Sequence, residues 1–147
     1  MMERKDSLRQ KFLSATDTTR VKVRFNDTDS MGVVHFKNYM VYFDDGFVSF
    51  MNSIKNKRNI EEMIHDGLAC GVKHVDIMYE GSAKFGDYMI VKTRIKKIGN
   101  KSITFIHELS KELDNTLLAK VEAVRFVLNL KTNKLMNIMD FLEYFLK

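Results

Sequence analysis

The chain has 147 residues, of which 45% are hydrophobic and 29% charged, and its formal net charge is +5 at pH 7. This length fits a single domain, residues 1–147, with a buried core, and the composition argues against an intrinsically disordered chain. The basic residues are spread along the sequence without a stripe of interleaved aromatics, so no nucleic-acid partner is expected. The charge excess suits either solubility or an anionic, phosphate-bearing ligand.

The single cysteine and the N-terminus predict the compartment. Cys70 cannot form an intrachain disulfide, which suits a reducing cytosol. The first fifteen residues carry charges of both signs and lack the apolar run of a signal peptide. The longest apolar region, residues 39–51, is interrupted by Asp44 and Asp45 and is too short to span a bilayer. A cytoplasmic protein without a membrane span is therefore expected.

The predicted elements begin with a possible N-terminal extension, residues 1–17, in which residues 2–14 form a short helix or a loose arm. Residues 19–25 alternate apolar and basic side chains, which predicts a strand with one exposed face. A polar, glycine-containing turn follows. Residues 38–54 are apolar around most of a helical circumference, which is typical of a buried helix. Residues 59–66 predict a second, short helix.

Four β-rich stretches follow from Gly67 onwards. The turns between them are short: Gly86–Asp87, Gly99–Asn100 and Asp114–Asn115. Such connections favour antiparallel neighbours. Residues 137–147 predict a terminal helix. An α+β fold accommodates this order, with one antiparallel five-stranded sheet wrapped around a long central helix.

The segment between the first strand and the central helix resembles a known family. Residues 25–39 read FNDTDSMGVVHFKNY. The pattern F-x-D-T-D-x-x-G-V-V before a buried helix resembles the hotdog-fold acyl-CoA thioesterases of the 4-hydroxybenzoyl-CoA thioesterase type. Residues 79–105, residues 121–138 and the terminal helix resemble that family too, so the resemblance covers about residues 18–147.

The resemblance implies a hotdog homodimer, often paired again into a tetramer, with active sites between subunits. It implies hydrolysis of an acyl-CoA thioester without a metal or other cofactor. Asp29 matches the family's catalytic carboxylate, acting as general base or nucleophile, and the backbone N–H of Phe36 matches its oxyanion donor. A helix start suits that second role because its first N–H groups lack partners.

Substrate contacts are expected around the same turn and at one lysine: Gly32, Val33, Val34, Asn38, Tyr39 and Lys101. In the family, basic residues near the turn at 99–100 contact the CoA phosphates, and Lys101 matches that position. Many bacterial relatives have Tyr-His after G-V-V, whereas this chain has His35–Phe36. His35 is accordingly either a second catalytic group or a core or interface histidine.

Other acidic and reactive residues are expected to be structural. Asp27 is assigned a supporting role. Asp44 or Asp45 is a reserve candidate for the catalytic carboxylate, because another hotdog branch uses an acid of the central helix, but a solvent or interface contact is favoured. Cys70 has no adjacent histidine and is interpreted as a small buried strand residue. The remaining histidines lack ligand spacing, so no metal site is expected: His65, His74 and His107.

Two alternatives to acyl-CoA hydrolysis stay open. The first is a thioesterase acting on acyl groups carried by acyl carrier protein, since a basic surface would suit an acidic carrier. The second is a non-catalytic hotdog module that binds acyl-CoA or a protein partner. The presence of Asp29 and Gly32 weighs against this second alternative.

Overall fold

The structure is a computed structural model that describes residues 2–54 and 58–146. Helix α1 (Met2–Ser14) leads into strand β1 (Thr16–Lys22). Two 3-10 turns, Phe25–Asp27 and Phe36–Asn38, follow, and the second runs directly into the long helix α2 (Tyr39–Ser53). The remaining elements are α3 (Ile60–His65), β2 (Leu68–Tyr79), β3 (Tyr88–Ile98), β4 (Ile103–Lys111), β5 (Leu117–Asn129), β6 (Lys134–Leu135) and α4 (Ile138–Phe145).

The long strands form one antiparallel sheet in the order β1-β3-β4-β5-β2, and the two-residue β6 pairs with β5. The predicted α+β fold, with a five-stranded sheet around a long helix, is confirmed. The terminal helix predicted at 137–147 is observed as α4, and residue 147 lies outside the described residues. The order leaves β1 and β2 as the two edges of the sheet.

The first strand lies three residues earlier than the predicted range 19–25. The chain leaves the strand near Arg24 because the Asp27 carboxylate accepts the backbone N–H of Arg24 at 2.9 Å. This bond closes the first 3-10 turn, in which Phe25 is the first residue. Alternation of side chains could not reveal this, because Phe25 continues the apolar pattern although its backbone has already turned.

Helix α2 lies against the inward face of the sheet and supplies much of the core. Tyr42, Phe43, Phe50 and Met51 are each at most 1% exposed. Gly46 explains how closely the helix approaches the strands. A Cβ added there would lie 2.6 Å from Cγ1 of Val91 and 2.9 Å from Oγ1 of Thr93.

Helix α1 packs on the core, so the alternative of a loose arm at residues 2–14 is wrong. Phe12 is fully buried, and the Arg9 Nη1 donates a hydrogen bond of 2.8 Å to the carbonyl of Ile98. The possible extension at 1–17 also includes the first residues of β1. Within ranges 2–54 and 58–146, no helix is both long and apolar enough to cross a membrane.

Candidate active site

The motif loop, defined here as residues 23–38, is hydrogen-bonded along its length to the segment that precedes β3. The Val23 N–H donates to the carbonyl of Asp87 at 2.9 Å, and the Val34 N–H donates to the carbonyl of Ala83 at 2.9 Å. Val33 and Lys84 form an isolated antiparallel bridge. The loop is thereby fixed at the end of the sheet where β1 finishes and β3 begins.

Asp29 is half-buried in a tight turn of the motif loop. Its N–H donates to the carbonyl of Val33 at 2.9 Å, and its carbonyl accepts the N–H of Gly32 at 3.0 Å. Gly32 has a φ of +78°, which favours glycine. The Asp29 Oδ1 accepts the N–H of Met31 at 2.8 Å, whereas Oδ2 accepts no hydrogen bond from any described residue. One carboxylate oxygen is thus held and the other is left available.

Phe36 opens the helical segment that ends in α2. As the first residue of the 3-10 turn, it has no acceptor for its N–H within that turn. The His35–Phe36 peptide is held by the Asn38 N–H, which donates to the His35 carbonyl at 2.8 Å. The helix dipole of α2 adds a potential that favours negative charge at this end. The arrangement can stabilise an oxyanion.

His35 caps the same turn. Its Nδ1 accepts the N–H of Lys37 at 3.3 Å, and its ring stacks on the Phe36 ring with centroids 4.6 Å apart. Because Nδ1 is an acceptor, the proton of the neutral ring lies on Nε2. The capping role accounts for the side chain, and a catalytic role for His35 stays a prediction that would use Nε2.

Asp27 differs from Asp29, because both oxygens of its carboxylate accept hydrogen bonds. It is 4% exposed and accepts bonds from the Arg24 N–H at 2.9 Å, the Arg24 guanidinium at 3.2 Å and the Tyr42 hydroxyl at 2.8 Å. Burial raises the pKa of Asp27, but the hydrogen bonds from Arg24 and Tyr42 outweigh burial and hold that pKa below its usual range. Its carbonyl accepts the Asn38 side chain at 2.8 Å. These contacts agree with the expected supporting role.

The predicted substrate contacts of the motif loop gather around this turn, but three of them hold the backbone. Tyr39 is 3% exposed, and its hydroxyl lies 3.4 Å from both the Gly81 carbonyl and the Ala83 nitrogen. Val34 is buried and Asn38 bonds Asp27. Gly32 is exposed and Val33 half-buried, so these two remain reachable by a substrate. Contact of any of these residues with substrate stays a prediction.

Lys101 lies at the opposite end of the sheet from Asp29. It follows β3 in the turn to β4, and its Nζ donates to the carbonyl of Leu135 at 3.3 Å. The motif loop lies at the start of β3, where Lys22 pairs with Tyr88. The length of β3 places the two ends about 35 Å apart at about 3.3 Å per residue. A contact of Lys101 with a substrate at Asp29 stays a prediction, and the strand order favours a contribution from another subunit.

Comparison with known proteins decides the family. Residues 23–146 match the model of the thioesterase-like superfamily. The chain belongs to this superfamily. The expected resemblance to hotdog-fold thioesterases is confirmed, and so is the expected enzyme class, a thioester hydrolase.

Individual relatives of this thioesterase-like chain agree with the superfamily match. It is 28% identical over 107 residues to the acyl-CoA thioesterase YbgC of Haemophilus influenzae, covering 71% of this chain and 74% of that protein. Its fold resembles the 1,4-dihydroxy-2-naphthoyl-CoA thioesterase Slr0204 of Synechocystis, with a TM-score of 0.75, 23% identity, and 84% and 90% of the two chains covered. It also resembles SAV2348 of Staphylococcus aureus, solved in complex with CoA, with a TM-score of 0.74, 20% identity, and 88% and 82% covered.

Of the two reserve acids on the central helix of this thioesterase-like chain, Asp44 is held in an ion pair and Asp45 faces solvent. The Asp44 Oδ1 accepts the Arg125 Nη2 at 2.7 Å, and the Arg125 guanidinium lies 4.0 Å from the centroid of the Phe47 ring. Asp45 is exposed at the surface, although partial burial raises the pKa of its carboxyl. The ion pair of Asp44 accounts for its position without a catalytic role.

His107, which is buried, and Cys70, which is half-buried, have structural environments. His107 is fully buried, bonds the Thr93 hydroxyl at 2.7 Å, and has a pKa lowered to about 3, chiefly by burial. Burial raises the pKa of the Cys70 thiol to about 11, so the thiol is protonated at neutral pH. In the described part of the chain, no group of three or more histidine, cysteine or acidic side chains could hold a metal ion.

Sequence reasoning missed Tyr79, which contacts the predicted oxyanion turn. Its hydroxyl donates to the carbonyl of Phe36 at 3.0 Å, from 43 residues further along the chain. Tyr42 and Arg24, which hold Asp27, were also missed as site residues. The motif pattern gives no signal for Tyr79, because alternation along β2 predicts which side of the sheet a residue faces but not its partner.

Proposed function

We propose that the chain hydrolyses acyl-CoA thioesters, with Asp29 as the catalytic carboxylate and the Phe36 N–H as the oxyanion donor. The observation that carries the proposal is the state of Asp29. One of its oxygens is held by Met31 and the other accepts no hydrogen bond from the described residues, and the same loop carries the Phe36 N–H, which has no acceptor within its 3-10 turn. The acyl-CoA thioesterase YbgC and the CoA complex of SAV2348 support CoA as the thiol portion of the substrate.

Two routes use these groups. In the first, Asp29 takes a proton from water while the water oxygen bonds to the thioester carbon. The carbonyl oxygen becomes an oxyanion facing the Phe36 N–H, and collapse expels CoA as thiolate, which then takes a proton. In the second, the Asp29 carboxylate itself attacks and forms a mixed anhydride, releasing CoA, and water then hydrolyses the anhydride.

The proposal is tested by thiol release from short, long and aromatic acyl-CoAs. Wild type is expected to turn over at least one class, and Asp29→Asn to lower kcat about 10²- to 10⁴-fold. Asp140→Asn, an exposed acid on α4, is the matched control and is expected to retain wild-type kcat. Turnover of carrier-protein thioesters alone would instead assign the acyl carrier protein as partner. Binding of acyl-CoA without turnover would leave a binding module.

Appearance of ¹⁸O in Asp29 identifies the anhydride route, whereas attack of water on the acyl carbon of the anhydride labels the acid as the general-base route does. In a single turnover in H₂¹⁸O with enzyme in excess, the general-base route places ¹⁸O in the released acid. The anhydride route leaves the product unlabelled when water attacks the Asp29 carbonyl carbon, and ¹⁸O then appears in Asp29. Mass spectrometry of the acid and of the peptide that contains Asp29 reads out both positions.

We further propose that the working form is a homodimer or a tetramer. Strand β2 forms an edge of the sheet along twelve residues, and the apolar side chains of Val72 and Met78 on it are 43% and 58% exposed. An edge strand of this length is a template for pairing with a second copy. Sedimentation equilibrium is expected to show at least a dimer. If a neighbouring subunit brings Lys101 to the site, Lys101→Ala is expected to raise the KM for acyl-CoA without changing kcat.

A further inference from the structure

We propose that Tyr79 is a positioning residue for the oxyanion donor, holding the peptide that follows Phe36 so that the Phe36 N–H keeps its direction. This inference rests on the proposed thioesterase function. Tyr79 is the final residue of β2 and pairs with Ala119 of β5. Its hydroxyl reaches across to the motif loop and donates to the Phe36 carbonyl at 3.0 Å.

The Phe36 carbonyl has two donors. One is the Tyr39 N–H, which closes the 3-10 turn, and the other is the Tyr79 hydroxyl. A carbonyl oxygen has two lone pairs, so both are used. The Phe36–Lys37 peptide is consequently held from the helix and from the end of the sheet at once.

The peptide on the other side of the Phe36 Cα carries the N–H itself. It is held through the His35 carbonyl, which accepts the Asn38 N–H at 2.8 Å. With both flanking peptides fixed, the two backbone dihedrals of Phe36 are fixed, and so is the direction in which its N–H points. Loss of the Tyr79 hydroxyl would leave the Phe36–Lys37 peptide held by the hydrogen bond from the Tyr39 N–H alone.

Tyr79 is itself oriented by its surroundings. Its ring meets the Tyr39 ring edge-on, with centroids 5.3 Å apart. Tyr39 is 3% exposed and lies within hydrogen-bond reach of the Gly81 and Ala83 backbone. Tyr79 is 44% exposed. The contact with Tyr39 nevertheless orients its ring so that the hydroxyl points at the Phe36 carbonyl. A preorganised donor is what an oxyanion site requires, because reorientation during the reaction costs rate.

The test is steady-state kinetics of Tyr79→Phe, which removes only the hydroxyl. Loss of one neutral hydrogen bond predicts about a three- to tenfold fall in kcat, with KM within about twofold of wild type. The pH profile is expected to keep its shape, because Asp29 is untouched. Tyr144→Phe is the matched control: this tyrosine lies on α4, and its hydroxyl donates to the Asp66 carboxylate instead of to the motif loop. It is expected to retain wild-type kcat.

Other outcomes overturn the inference. Unchanged kcat in Tyr79→Phe excludes positioning, and a raised KM with unchanged kcat makes Tyr79 a substrate contact instead. A fall in kcat that matches the unfolded fraction, measured by circular dichroism at the assay temperature, makes the role structural. Assay of Asp29→Asn in parallel separates the proposed thioesterase function from the positioning role of Tyr79. If only Asp29→Asn abolishes turnover, the function stands and this inference fails; if wild type hydrolyses no thioester, both fail.

Discussion

The hydroxyl of Tyr42 lies 2.8 Å from Oδ2 of Asp27, so the central helix directly holds the first of the two aspartates in the motif loop. Asp27 is at the same time bonded by the Arg24 backbone and guanidinium. Among the described residues, only one carboxylate oxygen of Asp29, two residues later, accepts a hydrogen bond. The two carboxylates of the D-T-D motif therefore differ: the first fixes the loop, and the second keeps an oxygen that accepts no hydrogen bond from the described residues, as the proposed catalytic role of Asp29 requires.

Tyr42→Phe is expected to lower the free energy of unfolding by about 1–3 kcal/mol, because it leaves a buried carboxylate oxygen short of one donor. The measurement is urea denaturation at neutral pH. Tyr144→Phe is the matched control, since Tyr144 also bonds a carboxylate, that of Asp66, at the surface. Tyr144→Phe is expected to lower the free energy of unfolding by less than about 1 kcal/mol. Equal losses in the two variants would contradict the supporting role of buried Asp27.

The family resemblance is carried by contiguous residues, and it is this resemblance that predicts Asp29 and the Phe36 N–H as site groups. In the motif a carboxylate, a glycine turn and a helix start follow one another within eight residues. The contact of Tyr79 with Phe36 and that of Arg125 with Asp44 are not predicted by the sequence, because they join residues 43 and 81 positions apart. Strand alternation predicts the face of a residue, whereas strand order and register decide which residue it meets.

The same limit explains Lys101. Its place in a turn of the sheet was predicted, but only the strand order shows that this turn lies at the far end from Asp29. The first strand illustrates the opposite case, a local error. Phe25 fits the alternating pattern, and a side-chain bond from Asp27 to the Arg24 backbone ends the strand before it. Side-chain capping of this kind overrides apolar alternation.

His107 is expected to make stability depend on pH. Burial, and to a lesser degree the charge of Arg125, lowers the pKa of His107 from 6.5 to about 3 in the folded state. Below pH 6.5 the unfolded chain binds a proton that the folded chain does not. The free energy of unfolding is therefore unaffected by His107 above pH 6.5. As the pH falls from 6.5 towards 3, protonation of the unfolded chain lowers that free energy by about 1.4 kcal/mol per pH unit.

This pH dependence is measured by urea denaturation between pH 7.5 and 4.5. His107→Gln, which keeps a hydrogen-bonding group near Thr93 but cannot titrate, is expected to show a shallower decline over this range than wild type. His65→Gln is the control, because the His65 side chain on α3 is 92% exposed. It is expected to follow the wild-type curve. Parallel curves for wild type and His107→Gln would show that His107 is not kept neutral by the fold.

Gly46→Ala tests the close approach of α2 to the sheet. Alanine favours a helix over glycine by about 1 kcal/mol, so an unobstructed position would gain stability. Here the new Cβ would lie 2.6 Å from Val91 and 2.9 Å from Thr93. Overpacking costs about 1–3 kcal/mol, so a net loss of about 1 kcal/mol is expected.

Gly81→Ala serves as control for Gly46→Ala in the same denaturation experiment. Its Cβ would meet a terminal methyl of Leu118 at 3.3 Å, which can yield. A change within about 0.5 kcal/mol is expected there. A gain in stability for Gly46→Ala would mean that the helix can move away from β3 at little cost.

Substitution of Asp44 and Arg125 tests whether the catalytic carboxylate lies on the central helix instead of at Asp29. Arg125 is 5% exposed, its Nε has no hydrogen-bond partner among the described residues, and its charge is met by Asp44 at 2.7 Å. Asp44→Ala would leave the guanidinium without an ion-pair partner among the residues that the structure describes. The expected loss is about 2 kcal/mol, below the 3–5 kcal/mol of fully buried pairs, because the Asp44 side chain is 62% exposed.

The double variant Asp44→Ala/Arg125→Met is expected to recover most of that loss, because removing both charges removes the unpaired one. Denaturation of the two single variants and the double variant gives the coupling energy between them. The same proteins are assayed for thiol release, and Asp44→Ala is expected to keep kcat within about threefold of wild type, since the pair is structural. A fall of orders of magnitude in Asp44→Ala, with the fold intact, would move the catalytic carboxylate from Asp29 to the central helix.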